Sequence, residues 1–254
     1  MDLGLRDKAA FVTGASRGLG KAIALALAAE GARVAVGYHH GDAEAAAVAD
    51  ACRAGGSGGV TVVRLDLSSE EDVVAAFEEA ARHLGEPTIL VNNGAVCPRG
   101  PTVATRREDF DQALAVNLTG AFLCCRELMR RLSRTGSPGR IVNIASTAAF
   151  IGSSSALQVA YDSSKGGLVA LTVSLAREAA PLGITVNALA PGLMLTEMMV
   201  EKFRANPERY LERIPLRRLA EVGEVAAAVV FLASEKASYI TGSVLNVSGG
   251  MLMR

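Results

Sequence analysis

Tryptophan is absent from this sequence of 254 residues, and aromatic side chains make up only 4% of a chain that is 50% hydrophobic and rich in alanine and glycine. Such a composition suits close packing of helices on a sheet better than an all-β sandwich. An excess of charge is missing too: 26 basic residues face 26 acidic ones. No global field draws the chain to nucleic acid or to an anionic membrane, so neither is an expected partner. The four cysteines, Cys52, Cys97, Cys124 and Cys125, make no Cys-x-x-Cys pair and have no clustered histidines. No metal site is expected, and a reducing cytoplasm suits these thiols. The opening MDLGLRDKAA carries charge where a signal peptide needs an apolar run, and no apolar stretch reaches membrane-spanning length. A soluble, cytoplasmic protein is expected.

What is present is an alternation. Short runs rich in valine and isoleucine, at 8–12, 33–38, 60–66, 89–92, 140–145, 185–190 and 244–247, are separated by helical patterns at about 17–30, 43–53, 69–83, 107–133, 160–181 and 221–233. This is the signature of βαβ units. The nearly continuous apolar character of several runs predicts strands covered on both faces. The expected fold is therefore α/β: a single domain over 1–254, doubly wound, with a parallel seven-stranded sheet. Ser68-x-x-Glu71 reads as a capping box for the third helix, and GGSGG at 55–59 as a loose surface connection. The stretch 193–221 is longer than a turn requires and mixes methionine, aromatic and charged residues. It is expected to act as a substrate lid, with Met194, Met198, Met199 and Phe203 as apolar lining.

Two local patterns carry chemistry. Thr13-Gly14-Ala15-Ser16-Arg17-Gly18-Leu19-Gly20 lies between the first predicted strand and the first helix. Glycines at such a turn allow the backbone to approach a pyrophosphate at a helix N-terminus, although a glycine-rich turn with no ligand would look alike. The second pattern is SSSALQVAYDSSK at 153–165, where Tyr161 and Lys165 stand four apart. On a helix they share a face, and an ammonium beside the phenol favours the phenolate and lowers its pKa. An exposed packing pair is the alternative.

With VNNGA at 91–95, Asn117 in AVNLTG, Ser146 in NIAS, PGLMLT at 191–196 and YITG at 239–242, the chain resembles the classical short-chain dehydrogenase/reductases along essentially its whole length. Its C-terminal VLNVSGGMLM looks most like the 3-oxoacyl-carrier-protein reductases and related ketoreductases. The resemblance implies a Rossmann-like fold, a homotetramer, and hydride transfer between a nicotinamide cofactor and a small carbonyl or alcohol substrate. It implies the catalytic residues Asn117, Ser146, Tyr161 and Lys165: Tyr161 as proton donor, Lys165 also bound to the nicotinamide ribose, Asn117 holding a relay water, and Ser146 on the substrate oxygen. The implied cofactor residues are Gly14, Ser16, Arg17, Gly18, Leu19, Gly20, Tyr38, His39, Asp66, Leu67, Asn93, Tyr161, Lys165, Pro191, Gly192 and Thr196, with Asn92 near the adenosine ribose. Ser163 and Ser164 are expected on other sides of the helix bearing Tyr161.

The second strand ends Val36-Gly37-Tyr38-His39-His40, with no carboxylate until Asp42. An acid there would bind the 2′-hydroxyl of NAD, so NADP(H) is expected, with Arg17 and His39 near its 2′-phosphate and NAD(H) as the alternative. Three departures from the family stand out. Asn92-Asn93-Gly94-Ala95 replaces the usual Asn-Asn-Ala-Gly. Leu182 stands where carrier-protein reductases commonly have a basic residue, leaving Arg130, Arg131 and Arg134 as a possible docking patch for an acyl-carrier protein. The gap between Ser146 and Tyr161 is slightly long, and the extra length is assigned to the loop 153–157. The sequence leaves open reduction of a 3-oxoacyl or other ketone, oxidation of an alcohol or sugar, and a non-catalytic dinucleotide-binding role.

Overall fold

Ala9–Val12 has no polar side chain, and all four residues are buried in strand β1. Ala10 and Val12 belong to one core cluster and Ala9 and Phe11 to the other, because successive residues of a strand face opposite sides and here both sides are covered. The computed structural model describes residues 2–152 and 157–253. After β1 come helix α1 (Gly18–Ala29), β2 (Arg33–Tyr38), α2 (Asp42–Ala54), β3 (Val60–Arg64), α3 (Glu70–Leu84) and β4 (Ile89–Asn92). The second half runs α4 (Arg107–Leu114), a π-helical turn (Ala115–Thr119), α5 (Gly120–Thr135), β5 (Gly139–Ile144), α6 (Ala148–Ile151), α7 (Val159–Ala179), β6 (Ile184–Pro191), α8 (Glu197–Ala205), α9 (Pro207–Leu211), α10 (Val222–Ala233) and β7 (Val244–Val247).

All seven strands join one parallel sheet in the order β3-β2-β1-β4-β5-β6-β7. The direction of winding reverses between β1 and β4, so the carboxyl ends of these two strands flank an open crevice. On one face α1 and α10 pack through residues such as Ile23, Leu27 and Val229. On the other, Phe77, Leu128 and Leu175 from α3, α5 and α7 cover the sheet, with the Phe11 and Phe77 rings 5.0 Å apart. The predicted doubly wound fold and its seven strands are all present, no strand end moving by more than two residues. Among the described residues, no helix is long and apolar enough to cross a membrane.

Three local expectations change. The predicted helix at 107–133 is interrupted by the π-helical turn, which contains Asn117. Ser69, not Ser68, caps α3: its Oγ accepts from Asp72 N at 3.1 Å, while Ser68 donates to Asp66 through both N (2.9 Å) and Oγ (2.6 Å). The GGSGG connection is tethered rather than loose, because Ser57 Oγ lies 2.6 Å from Ala32 O.

The segment 193–221, expected as a lid, is closed at its neck: Leu195 N donates to Ala220 O (2.9 Å) and Ala220 N to Leu193 O (3.0 Å), so α8 and α9 follow from a pinned base. Met194, Met199 and Phe203 are half-buried, and the Phe203 ring lies against Tyr210 of α9 at 6.3 Å. The side chain of Met198 and most of the loop 153–157 fall outside the described residues.

Candidate active site

The carboxyl ends of β1 and β4 are stitched together. Thr13 Oγ1 accepts from Asn93 N and Gly94 N, both at 3.0 Å, and Asn93 Nδ2 donates to Thr13 O and Gly14 O, also at 3.0 Å. The two backbones touch, since a Cβ on Gly14 would lie 2.6 Å from Gly94 Cα. Gly14 and Gly18 hold φ of 61° and 56°, in the left-handed region that favours glycine. A Cβ on Gly20 would stand 2.2 Å from Gly14 O, so α1 can start this close to the loop only without a side chain. No side chain caps the first turn of α1, leaving its amides available to an anion.

This cradle opens on a cavity of about 400 Å³ lined by Gly14, Ser16, Arg17, His39, His40, Asp66, Leu67 and Asn93, among others. Its position at the glycine loop and its donor set fit a dinucleotide. Asp42, the first carboxylate after β2, accepts from Tyr38 Oη at 2.8 Å. Arg17 is exposed and has no acidic partner among the described residues. The His39 and His40 rings lie 4.0 Å apart, and His39 Nε2 is 3.7 Å from Asp66 Oδ2. Hydrogen bonds from Ser68 hold the Asp66 carboxyl below the usual carboxylate range. Leu19 is buried beneath the loop. The exchange at 94 and 95 has a visible consequence: a Cβ on Gly94 would meet Leu67 Cδ1 at 2.6 Å, whereas the methyl of Ala95 lines the cavity.

At the end of β6, Pro191 O accepts from Thr147 N (3.0 Å), which places Pro191 and Gly192 beside the segment after β5 that carries Ser146, while Thr196 stands at the start of α8. Gly192 passes the C-terminal segment so closely that a Cβ there would be 2.9 Å from Ser248 Cα. Asn92 departs from expectation. Its side chain is buried and donates to Asn143 Oδ1 (2.8 Å) behind the sheet edge, so Asn93 is the asparagine that faces the cavity.

Ser146, Tyr161, Lys165 and Asn117 come together across β5, α7 and the π-helical turn. Ser146 hydrogen-bonds with the Tyr161 side chain. Lys165 is buried and donates from Nζ to Ile144 O at 2.6 Å, with Nζ 5.6 Å from the centre of the Tyr161 ring. Burial pulls its pKa down to about 8. The Tyr161 phenol, expected to be lowered by this lysine, is instead pushed up to about 12, mainly by burial and next by the neighbouring Cys97, with the Ser146 hydrogen bond and Arg99 acting the other way. Desolvation of the phenolate outweighs the stabilisation that the site offers it.

Asn117 is buried, and its amide is fully used: Oδ1 accepts from Val96 N (2.8 Å), while Nδ2 donates to Val96 O (2.8 Å) and Ser164 Oγ (3.0 Å). Ser164, expected on another side of α7, is fully buried and donates to Tyr161 O at 2.7 Å. It sits three residues after Tyr161, the spacing at which a helical serine bonds back to a carbonyl, and that signal was present in the sequence. Ser163, expected on another side of the helix from Tyr161, is exposed. Also missed were Cys97, whose Sγ lies 3.3 Å from Gln158 Oε1, and Arg99 beside it. No motif marks these two; a loop contact brings them to the tyrosine. The arginine patch is smaller than expected, because Arg130 and Arg131 both pair with the buried Glu127 and only Arg134 keeps out of that cluster.

A family model described as enoyl-(acyl carrier protein) reductase matches residues 14–252. The chain is 39% identical over 251 residues to the 3-oxoacyl-[acyl-carrier-protein] reductase of Pseudomonas aeruginosa, covering 99% of this chain and all of that one. It is 40% identical over 253 residues to the protein of the same name from Aquifex aeolicus, with the same coverage. A crystal structure of a short-chain dehydrogenase/reductase from Mycobacterium marinum superposes with TM-score 0.93 at 31% identity, covering 100% of this chain and 98% of that one. One from Agrobacterium tumefaciens, provisionally named a 2-deoxy-D-gluconate 3-dehydrogenase and holding NADP, gives TM-score 0.90 at 34% identity, covering 100% and 99%. The chain belongs to the short-chain dehydrogenase/reductase family and is one of its NAD(P)-dependent oxidoreductases.

Proposed function

We propose that the protein is an NADP(H)-dependent ketoreductase that converts a ketone to a secondary alcohol. The convergence of the Ser146 and Tyr161 hydroxyls, with Lys165 buried behind them, carries this reading. Two adjacent hydroxyls suit a carbonyl oxygen that is becoming an alkoxide. When bound, the nicotinamide supplies the hydride in reduction and accepts it in oxidation. Ser146 hydrogen-bonds the substrate oxygen and Tyr161 gives it a proton. With its pKa near 12, Tyr161 stays in the donor form at neutral pH. Lys165, near 8, exchanges protons readily there, and its ammonium stabilises the phenolate left after transfer. Asn117 and Ser164 brace this helix against Val96, and a relay water is assigned to the same region.

The pyrophosphate belongs over Gly14, Gly18 and Gly20, the adenine by Asp66 and Leu67, and the carboxamide by Thr196, with Pro191 and Gly192 shaping that end. Arg17 and His39 favour the 2′-phosphate of NADP(H). The name of the Agrobacterium relative supports an alternative, oxidation of a sugar-derived alcohol. Leu182 and the pairing of Arg130 and Arg131 with Glu127 weigh against delivery by an acyl-carrier protein. We also place the protein in the cytoplasm, where its free thiols fit, and assign it a homotetramer.

The test is loss of NADPH absorbance with acetoacetyl thioesters and a panel of small ketones. Wild-type protein should oxidise NADPH with at least one of them, and Tyr161→Phe should lose about 10²–10⁴ of kcat while still binding NADPH. No turnover above background across the panel would refute the ketoreductase assignment. Tighter binding of NADH than NADPH would refute the cofactor preference.

A further inference from the structure

The chain after the asparagine pair, residues 96–100, is held at both ends by the catalytic elements. Val96 is clamped to Asn117 through its N and O, both at 2.8 Å. Gly100 N donates to Leu157 O at 2.7 Å, just before the helix that carries Tyr161. Leu157 takes φ 45°, a conformation rare for a leucine, at the point where this bond fixes it. Pro98 keeps the residue before it extended. The segment therefore forms a strap beside the tyrosine, with Cys97 and Arg99 both exposed on it. Cys97 is tied across to Gln158 (3.3 Å), and Gln158 Nε2 to Asp162 (3.1 Å).

Arg99 is the cation of this strap. It is exposed between Pro98 and Gly100, on the stretch whose two ends are bonded to Asn117 and to Leu157, and its charge acts to lower the pKa of the Cys97 thiol and of Tyr161. Among the described residues it has no carboxylate partner, unlike Arg106 and Arg107, which pair with Asp109 and Asp111 farther along the chain. An arginine carried on a backbone strap at the edge of a reaction centre, without an acid of its own among the described residues, is available to a planar anion.

Building on the ketoreductase assignment, we infer that Arg99 determines substrate specificity, and that the substrate carries a carboxylate a few bonds from the reacting carbonyl: an oxo acid in reduction, a hydroxy acid in oxidation. Arg99 stands on the strap beside the element that carries Tyr161, so the anion it reads lies near the reacting carbon. The phosphate of a pantetheine arm lies far from the carbonyl and fits this position poorly.

The experiment compares matched pairs, each an oxo acid and its methyl ester, in wild type, Arg99→Gln and Arg99→Lys; the exposed position makes either substitution compatible with folding. Wild type should prefer the acid, and Arg99→Gln should lower kcat/KM for the acid by about 10–100-fold with little change for the ester, Arg99→Lys recovering part of the loss. Calorimetric affinity of the enzyme with NADP+ for the hydroxy acid should fall by the same factor. Equal turnover of acid and ester, or a preference that survives Arg99→Gln, overturns the inference and leaves the ketoreductase assignment standing. Turnover of neither member of any pair, nor of other ketones, removes both. An Arg99→Gln defect confined to acetoacetyl-coenzyme A and absent from a thioester without phosphate overturns the carboxylate in favour of a phosphate.

Discussion

Gly20 shows how strongly a single atom can matter in this chain. Its missing Cβ leaves room for Gly14 O, and the space that a methyl would need, 2.2 Å from a backbone oxygen, cannot be made by turning a side chain. Gly20→Ala should therefore displace the glycine loop and weaken dinucleotide binding at least tenfold, as fluorescence titration of NADPH would read. Unchanged affinity would show that the loop does not cradle the pyrophosphate. Gly18 differs: nothing lies within 4 Å of its would-be Cβ, and only its positive φ favours glycine there. The glycine loop and the Tyr161/Lys165 pair were legible because they are local in sequence. Arg99 and Ser164 gained their meaning from partners 47 or more residues away, or across a loop contact.

Helix α5 depends on one buried acid. Glu127 is 3% exposed at its side chain, accepts two bonds from Arg130 (2.8 and 2.7 Å) and one from Arg131 (2.6 Å), and Arg131, itself only 9% exposed, also reaches Glu86. Removing the acid leaves a desolvated guanidinium with a single exposed partner. Glu127→Ala should cost about 3 kcal/mol and lower Tm by several degrees in a thermal melt, because breaking a buried pair on one side is costly. A change under 1 kcal/mol would mean that Arg131 swings to solvent. The π-helical turn before α5 was not legible: nothing in AVNLTG forecasts an extra residue in the turn, whose role is to aim Asn117 at Val96 and Ser164.

Across the molecule, the buried lysine ties stability to pH. In the unfolded chain Lys165 keeps its proton up to its ordinary pKa of 10.5, whereas in the fold it releases it near 8. Between these values the unfolded chain binds more protons, so rising pH stabilises the fold; below about 8 the folded protein carries a buried charge at a cost on the order of 3 kcal/mol. Cys52, pushed up to about 11 by burial, acts in the opposite sense above its ordinary 9.0. The clean measurement is thus a difference: denaturant stability of wild type minus Lys165→Met should rise between about pH 8 and 10.5, and a flat difference would exclude a lowered pKa. The edge strand β7 has one neighbour in the sheet, and fully exposed Tyr239 and the mostly exposed Met253 lie near it in sequence. These leave apolar surface for further copies of the chain, and sedimentation should give a species of four subunits, a monomer counting against the assignment.

The sequence by itself determined the alternation of strand and helix, the single doubly wound sheet, the glycine loop and the tyrosine–lysine pair, because each is encoded in spacing over a few residues: period two or 3.6, a glycine-rich turn, an i,i+4 pair. Tertiary structure alone decided which asparagine faces the cavity, which arginines are already paired, that burial raises the phenol against its lysine, and that Cys97 and Arg99 stand beside Tyr161. Those outcomes depend on desolvation and on contacts between segments distant in sequence, and no local pattern carries either quantity.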